Sequence, residues 1–342
     1  LGIIFPLLSS IFFIICFLRQ DKASIRNLIN FLIFYIFLII FSIILSPVLW
    51  ENTLLSISEI FNFLKDHFLK IYVFYLGEFF FITEVPWHYH IIWILISTPI
   101  PYLLFFTLGF FIIALRFFRR LFEIDQNNSY KDLWRGDKEL EDVFFLFSWI
   151  IPVLIFVEIG MLRYNDWRHL YFTYPLFILI SITGIYRLNL FFKSKKQKIL
   201  NIILILSIFP TMYWMIKNHP YQNVYFNILA SKNFNKKFEM DYWGLSNKQA
   251  LEFLINIDNG DIKVMSVSTS DLRLSKKILK KKQRERIYIM DNFENSDYLV
   301  DTHYSWKAEK PSQDILDNYY LLYEIKVDGI PVNSIYKKKG LE

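Results

Sequence analysis

The feature that most constrains this chain is the run from Leu28 to Leu49, which contains no charged residue. A bilayer core of ~30 Å is crossed by about 20 apolar residues in a helix, and every backbone polar group inside it must be bonded within the protein. Four more stretches meet that length: 91–115, 143–162, 170–192 and 199–216. Residues 1–18 read as a sixth span, cut short. The charges fall elsewhere. The 342 residues include 38 Lys+Arg and 32 Asp+Glu, of which 20 and 17 lie in the last 126 positions. The reading is therefore an α-helical polytopic membrane domain over 1–216, with about six spans plus interfacial helices, and a small α/β domain over 217–342. A single soluble domain, a disordered chain and a disulfide scaffold are all excluded. Cys16 is the only cysteine and has no internal partner. The chain opens on Leu1-Gly2-Ile3, inside an apolar stretch and without the basic region of a signal peptide, and reads as the back part of a longer protein.

Lysine and arginine in short loops set orientation. Arg19, Lys22 and Arg26 follow the first span. Arg116, Arg119, Arg120, Lys131, Arg135 and Lys138 follow the third, and Lys193, Lys195, Lys196 and Lys198 follow the fifth. The alternate loops are poorer, with Lys65 and Lys70 in one and Arg163 and Arg168 in the other. The basic side is cytoplasmic on this rule, so 51–90, 163–169 and everything after 217 face out. That places the chain in the cell inner (cytoplasmic) membrane as a multi-pass protein with a periplasmic or otherwise extracytoplasmic C-terminal domain. Within 51–90, polar Ser56, Glu59, Lys65 and Lys70 interleave with Ile57, Ile60, Leu64 and Phe68, which predicts an amphipathic helix on the membrane surface. The apolar stretch Ile71–Thr83 holds Gly77 and Glu78 and reads as interfacial or re-entrant.

Beyond Lys217, Ser246 is expected to cap a helix running to about Ile257, with Leu251, Leu254 and Ile255 on its buried face. Residues 263–268 alternate like a strand, 272–286 read as one basic helix, and 287–290 and 298–300 read as short buried strands. Asp328-Gly329 between two apolar runs signals a hairpin. No glycine-rich phosphate loop follows a strand, so no cofactor is expected. The run Lys276, Lys277, Lys280, Lys281, Lys282, Arg284 and Arg286 is either a solvated helix face or a contact for anionic headgroups or glycans. An outward location leaves no role for nucleic acid.

Three places hold residues with chemistry. His88 and His90 sit two apart, near Glu84, and either anchor the interface, face a substrate or ligate a metal. No third ligand at metal spacing is present, so no metal site is assigned. The loop Arg163-Tyr164-Asn165-Asp166-Trp167-Arg168-His169 crowds charge at the mouth of two spans. Arg168 either snorkels or, with His169, holds a phosphate, a task suited to the bidentate guanidinium fork. Asp166 could orient Arg168 or act separately. Glu158, inside a span, either faces a cavity or makes a protonated helix–helix contact.

Four motifs occur in order at matching places in the topology. Pro86-Trp87-His88-Tyr89 with Thr98-Pro99-Ile100-Pro101, and Arg168-His169 running to Pro175, resemble bacterial members of glycosyltransferase family 39, the protein O-mannosyltransferase-like and aminoarabinose-transferase-like membrane enzymes. His219-Pro220-Tyr221 through Asn227 and Asp241-Tyr242-Trp243-Gly244 resemble the segment leading into the tail of some members. The resemblance implies an enzyme that moves a sugar from a polyprenyl-phosphate donor to a lipid, glycan or protein acceptor at the outer membrane face, among membrane lipids. It further implies that Arg168, and more weakly His169, contact the donor phosphate, and that Glu84, His88 and His90 border the donor or acceptor cavity. The family's acidic pair lies in a first outer loop, to which nothing here corresponds. The catalytic residues are therefore unknown, and the piece alone is expected to be inactive. The competing expectation is a polytopic transporter or flippase subunit with an outward accessory domain. A third is a membrane anchor that displays the C-terminal domain.

Overall fold

The computed structural model describes residues 4–18, 25–66, 69–122, 133–159, 163–192, 195–230, 233–307 and 317–341. Arg19, Lys22, Lys131 and Lys193 of the basic loops, Phe68, and the ends 1–3 and 160–162 of two expected spans lie outside them. Among the described residues five helices are long and apolar enough to cross a membrane: Arg26–Ile44, Ile100–Phe122, Asp137–Glu158, Arg168–Phe191 and Lys196–Lys217. The apolar helix Ile4–Phe17 is shorter, so five helices of spanning length stand where about six spans are expected.

The chain divides into two compact units, and two of the three boundaries between them fall inside helices. The first unit comprises residues 1–69 and 114–148. It contains α1 (Ile4–Leu18), α2 (Ile25–Ile44), α3 (Thr53–Asp66), the end of α5 (Ile100–Phe122) and the start of α6 (Asp137–Ile159). Phe13 and Phe31 stack at 4.1 Å between α1 and α2, and Phe12 meets Phe144 edge-on at 5.1 Å. Arg116 pairs with Asp142 at 2.9 Å, and Arg120 with Glu139 at 3.4 Å. On α3, Leu54, Leu55, Ile57 and Ile60 are exposed. Apolar side chains left bare along a helix in this way suit a lipid interface rather than water.

The second unit comprises 70–113 and 149–342. The stretch 71–83 forms an antiparallel hairpin, β1 (Tyr72–Tyr75) with β2 (Glu78–Phe81), turned at Leu76 and Gly77 in the left-handed region (φ 54° and 95°). That pair of dihedrals is what a two-residue hairpin with matching twist requires. The span expected over 91–115 is broken into α4 (Tyr89–Ser97) and α5. Pro99 lacks an N–H and disfavours helical backbone in the residue before it, and Thr98 is accordingly extended (φ −91°, ψ 136°). Asn227 repairs the break: its Nδ2 donates to Leu95 O and Thr98 O, both at 2.7 Å, and its N donates to Ile96 O at 2.8 Å. Helix α7 (Tyr174–Phe191) crosses α5 at paired glycines. A Cβ on Gly109 would lie 2.0 Å from Ile180 O, and one on Gly184 would lie 2.5 Å from Phe105 O. Helix α8 (Lys195–Lys217) leads into the C-terminal region.

That region carries a five-stranded sheet in the order β4-β3-β5-β7-β6, from β3 (Ile262–Ser266), β4 (Ile287–Ile289), β5 (Tyr298–Asp301), β6 (Tyr319–Val327) and β7 (Ile330–Lys338). Strand β3 is parallel to β4 and β5, whereas β7 is antiparallel to β5 and β6. Helix α9 (Ser246–Ile257) buries Leu251, Leu254 and Ile255 against Ile262, Val264 and Ile335. Ser246 is the first helical residue, not the cap. Asp241 caps the helix instead, accepting from Leu245 N (3.0 Å), Ser246 N (2.8 Å) and Ser246 Oγ (2.6 Å). The expected single basic helix over 272–286 is two short ones, α10 (Leu272–Ile278) and α11 (Lys281–Glu285). Between them Leu279 is extended, which lets its side chain enter the core.

Candidate functional site

The loop 163–167 is the centre of the second unit's polar interior. Asn165 and Asp166 both have positive φ (53° and 60°), a region that Asn and Asp tolerate better than other side chains. The loop so placed reaches three partners. Asn165 N donates to Glu239 Oε2 (3.2 Å), Asp166 N donates to Tyr89 Oη (3.2 Å), and Asn165 Oδ1 accepts from Tyr304 Oη (2.5 Å). Arg163 is buried and donates to Val85 O and Val157 O, so this arginine is tied into the scaffold.

Asp166 is 5% exposed. Its Oδ2 accepts from Tyr242 Oη (2.5 Å) and Tyr171 Oη (3.1 Å), while Oδ1 is buried with no partner. Burial pushes its pKa up to about 6, against the lowering effect of the Tyr242 and Tyr171 hydroxyls, the Arg168 backbone N–H and the Arg168 charge. Glu239 is fully enclosed. Burial pushes it up to about 8, and the Phe74 and Asn165 N–H groups that it accepts from only partly offset this.

Arg168 lies in the 3-10 turn (Arg168–Thr173) that leads into α7. Its guanidinium carbon is 5.0 Å from the Tyr164 ring, 5.2 Å from Trp243 and 6.0 Å from Tyr242. Nε meets His169 Nε2 at 3.4 Å, and the His169 ring lies 4.8 Å from Tyr164. Among the described residues no carboxylate forms an ion pair with Arg168. Tyr242 lies between the two charges, with its hydroxyl on Asp166 and its ring towards Arg168. On the Asp166 side is a cavity of about 300 Å³ with aromatic walls that include Trp93, Trp167, Tyr171 and Tyr225.

Of the residues singled out from sequence, the structure brings Arg168 and His169 together and leaves the other three outside that contact. His88 bonds Tyr75 Oη through Nδ1 (2.8 Å), and His90 is buried edge-on to Phe156 at 5.7 Å. Glu84 is exposed, and so is Glu158. Among the described residues no group of three His, Cys, Asp or Glu could hold a metal ion. Sequence reasoning passed over Glu239 and Tyr304, and named Tyr89 only as part of a motif. Glu239 is a lone acid outside any motif, and the only signal was its place between Phe238 and Met240, two residues before the Asp241–Gly244 motif. Comparison with protein-family models, curated proteins and solved structures finds no match to this chain.

Proposed function

We propose that this chain belongs to a membrane glycosyltransferase resembling family 39, which moves a sugar from a polyprenyl-phosphate donor to an acceptor at the outer face of the cytoplasmic membrane. The observation that carries this reading is Arg168: a cation at the start of an apolar helix of spanning length, set among three aromatic rings and forming no ion pair among the described residues, with Asp166 and Glu239 acting on it only at longer range. A guanidinium so held is pre-organised to receive an oxyanion, and a lipid phosphate presents one at headgroup depth. The five apolar helices suit a donor whose tail lies in lipid. His169 orients the guanidinium through its Nε contact. In transfer, the acceptor hydroxyl passes its proton to a carboxylate base as its oxygen attacks the sugar's anomeric carbon, the bond to phosphate breaks, and Arg168 stabilises the phosphate that departs.

The test is release of labelled polyprenyl phosphate in membranes that carry the protein. Arg168→Ala lowers turnover by roughly 100-fold or more while insertion is unchanged, and Arg168→Lys falls between because it keeps charge without the fork. Wild-type turnover in Arg168→Ala overturns the assignment. Movement of the lipid across the membrane without sugar release favours the flippase reading instead.

A further inference from the structure

The C-terminal region holds a second concentration of charge, which the site at Arg168 does not use. Of the 20 Lys+Arg and 17 Asp+Glu after residue 216, eight cations and one carboxylate fall within 272–286. The twelve cations and sixteen carboxylates that remain leave the rest of the region acidic. Helices α10 and α11 gather the cations beside the edge strand β4. Arg273, Lys276, Lys277, Lys281 and Arg284 line an open cleft of about 680 Å³ along with the half-exposed Tyr288, and Glu285 is its one acidic residue. Arg273 is paired with Asp271 and Asp291, whereas the other four cations form no ion pair among the described residues.

The same surface exposes aliphatic side chains. Leu274 and Ile278, one turn apart on α10, are 64% and 69% exposed, while Leu272, Ser275 and Leu279 are buried. Each helical residue turns through about 100°. The outward face of α10 therefore carries Lys277 at its centre, Arg273 on the cleft side, and Leu274 and Ile278 on the other.

These features narrow the partner. A face meant only for water interleaves both signs of charge and has no use for two large aliphatic side chains. A soluble polyanion answers the cations and leaves Leu274 and Ile278 bare. An added strand is opposed at the edge of β4, because Lys276 Nζ already donates to Ile287 O (2.6 Å). An anionic bilayer surface offers phosphates to the cations and acyl chains to the aliphatic pair. The chain brings a bilayer with it, through its five apolar helices of spanning length.

We propose that the outward face of α10 and α11 docks on an anionic bilayer surface. Leu274 and Ile278 enter the boundary between headgroups and acyl chains, and Lys277, Lys281 and Arg284 face lipid phosphates. The contact does not rest on the transferase reading, nor on which side of the membrane the region occupies.

The experiment is electron paramagnetic resonance of the full chain, one copy per nanodisc, with a nitroxide on Leu274→Cys in a Cys16→Ser background. Collision with oxygen, which concentrates in lipid, and with a water-soluble nickel chelate reports immersion. In discs of phosphatidylcholine with phosphatidylglycerol the label is shielded from the chelate and open to oxygen. In phosphatidylcholine alone, or in salt at about 1 M, it returns to water. Lys277→Gln and Lys281→Gln each lower the ratio of immersed to free label about fivefold, while Lys277→Arg and Lys281→Arg keep it. A label on Leu321→Cys, exposed on the opposite edge strand β6, stays in water throughout. Equal chelate access in both lipids, or no change in the two glutamine variants, overturns the proposal. Shielding in neutral discs overturns it too, because protein then covers the face. So does shielding brought about by soluble polyphosphate in neutral discs and not by anionic lipid. Donor turnover is read separately, so the lipid contact and the Arg168 assignment stand or fall apart from each other.

Discussion

Glu239 makes the energetics of the polar interior measurable. It is 3% exposed, forms no ion pair among the described residues, and accepts from Phe74 N (3.3 Å) and Asn165 N (3.2 Å). Burial raises its pKa from 4.5 to about 8, so the folded protein holds this proton more tightly than the unfolded chain. The sign follows: the contribution to stability is fully present below pH 4.5 and is lost as pH rises through about 8. At roughly 1.4 kcal/mol per pH unit, the loss across that window is on the order of 4–5 kcal/mol. Asp166 adds to it in the same direction between its ordinary 3.8 and about 6. Glu239→Gln removes the titration and keeps the shape, but its amide nitrogen faces one of the two backbone donors, at a cost of about 1–3 kcal/mol. The variant is therefore less stable than wild type at pH 5 and equal or more stable at pH 9. Thermal unfolding in nanodiscs, followed by near-ultraviolet circular dichroism at pH 5, 7 and 9, gives the difference curve. Parallel midpoints at all three values refute the reasoning, because they show that the Glu239 proton is not linked to folding.

Gly109→Ala forces a Cβ against Ile180 O and lowers the thermal midpoint, whereas Leu104→Ala, on an exposed position of the same helix, leaves it nearly unchanged. Asp241→Ala strips the α9 cap and costs about 2 kcal/mol, seen as earlier unfolding and faster proteolysis near residue 245. For orientation, Lys248→Cys in a Cys16→Ser background is labelled by an impermeant maleimide from the outer side only. Labelling from the cytoplasmic side alone reverses the proposed topology.

What was legible in the sequence was what repeats locally. Uncharged runs of about 20 residues marked the helices at 25–44 and 195–217, and Asp328-Gly329 marked the β6–β7 hairpin, where φ is 50° and 80°. The β1–β2 hairpin escaped because Leu76-Gly77 turns a segment with aromatic residues on both sides, so the turn reads as apolar as the strands it joins. The basic stretch 272–286 read as one helix because its charges mask Leu279, whose burial interrupts it. In the site, Arg168 stood out because a charge at a span's mouth is conspicuous. Glu239 did not, because its environment is made by Phe74 and Asn165, 165 and 74 positions away in the chain. Burial arising from such distant partners leaves no trace in a local window.

The Asn227 bridge bears on how this protein is made. Leu95, Ile96 and Thr98 come early in the chain, and their carbonyls acquire their partner more than a hundred residues later. Exposed carbonyls in an apolar setting are costly, so the interrupted helix cannot reach its final form while the ribosome is still adding α7 and α8. The α4–α5 break therefore acquires its final hydrogen bonds only after synthesis has passed Asn227. A truncation at Lys217, where composition invites a cut, removes the residue that closes the break and leaves the apolar helices unfinished rather than stripped down.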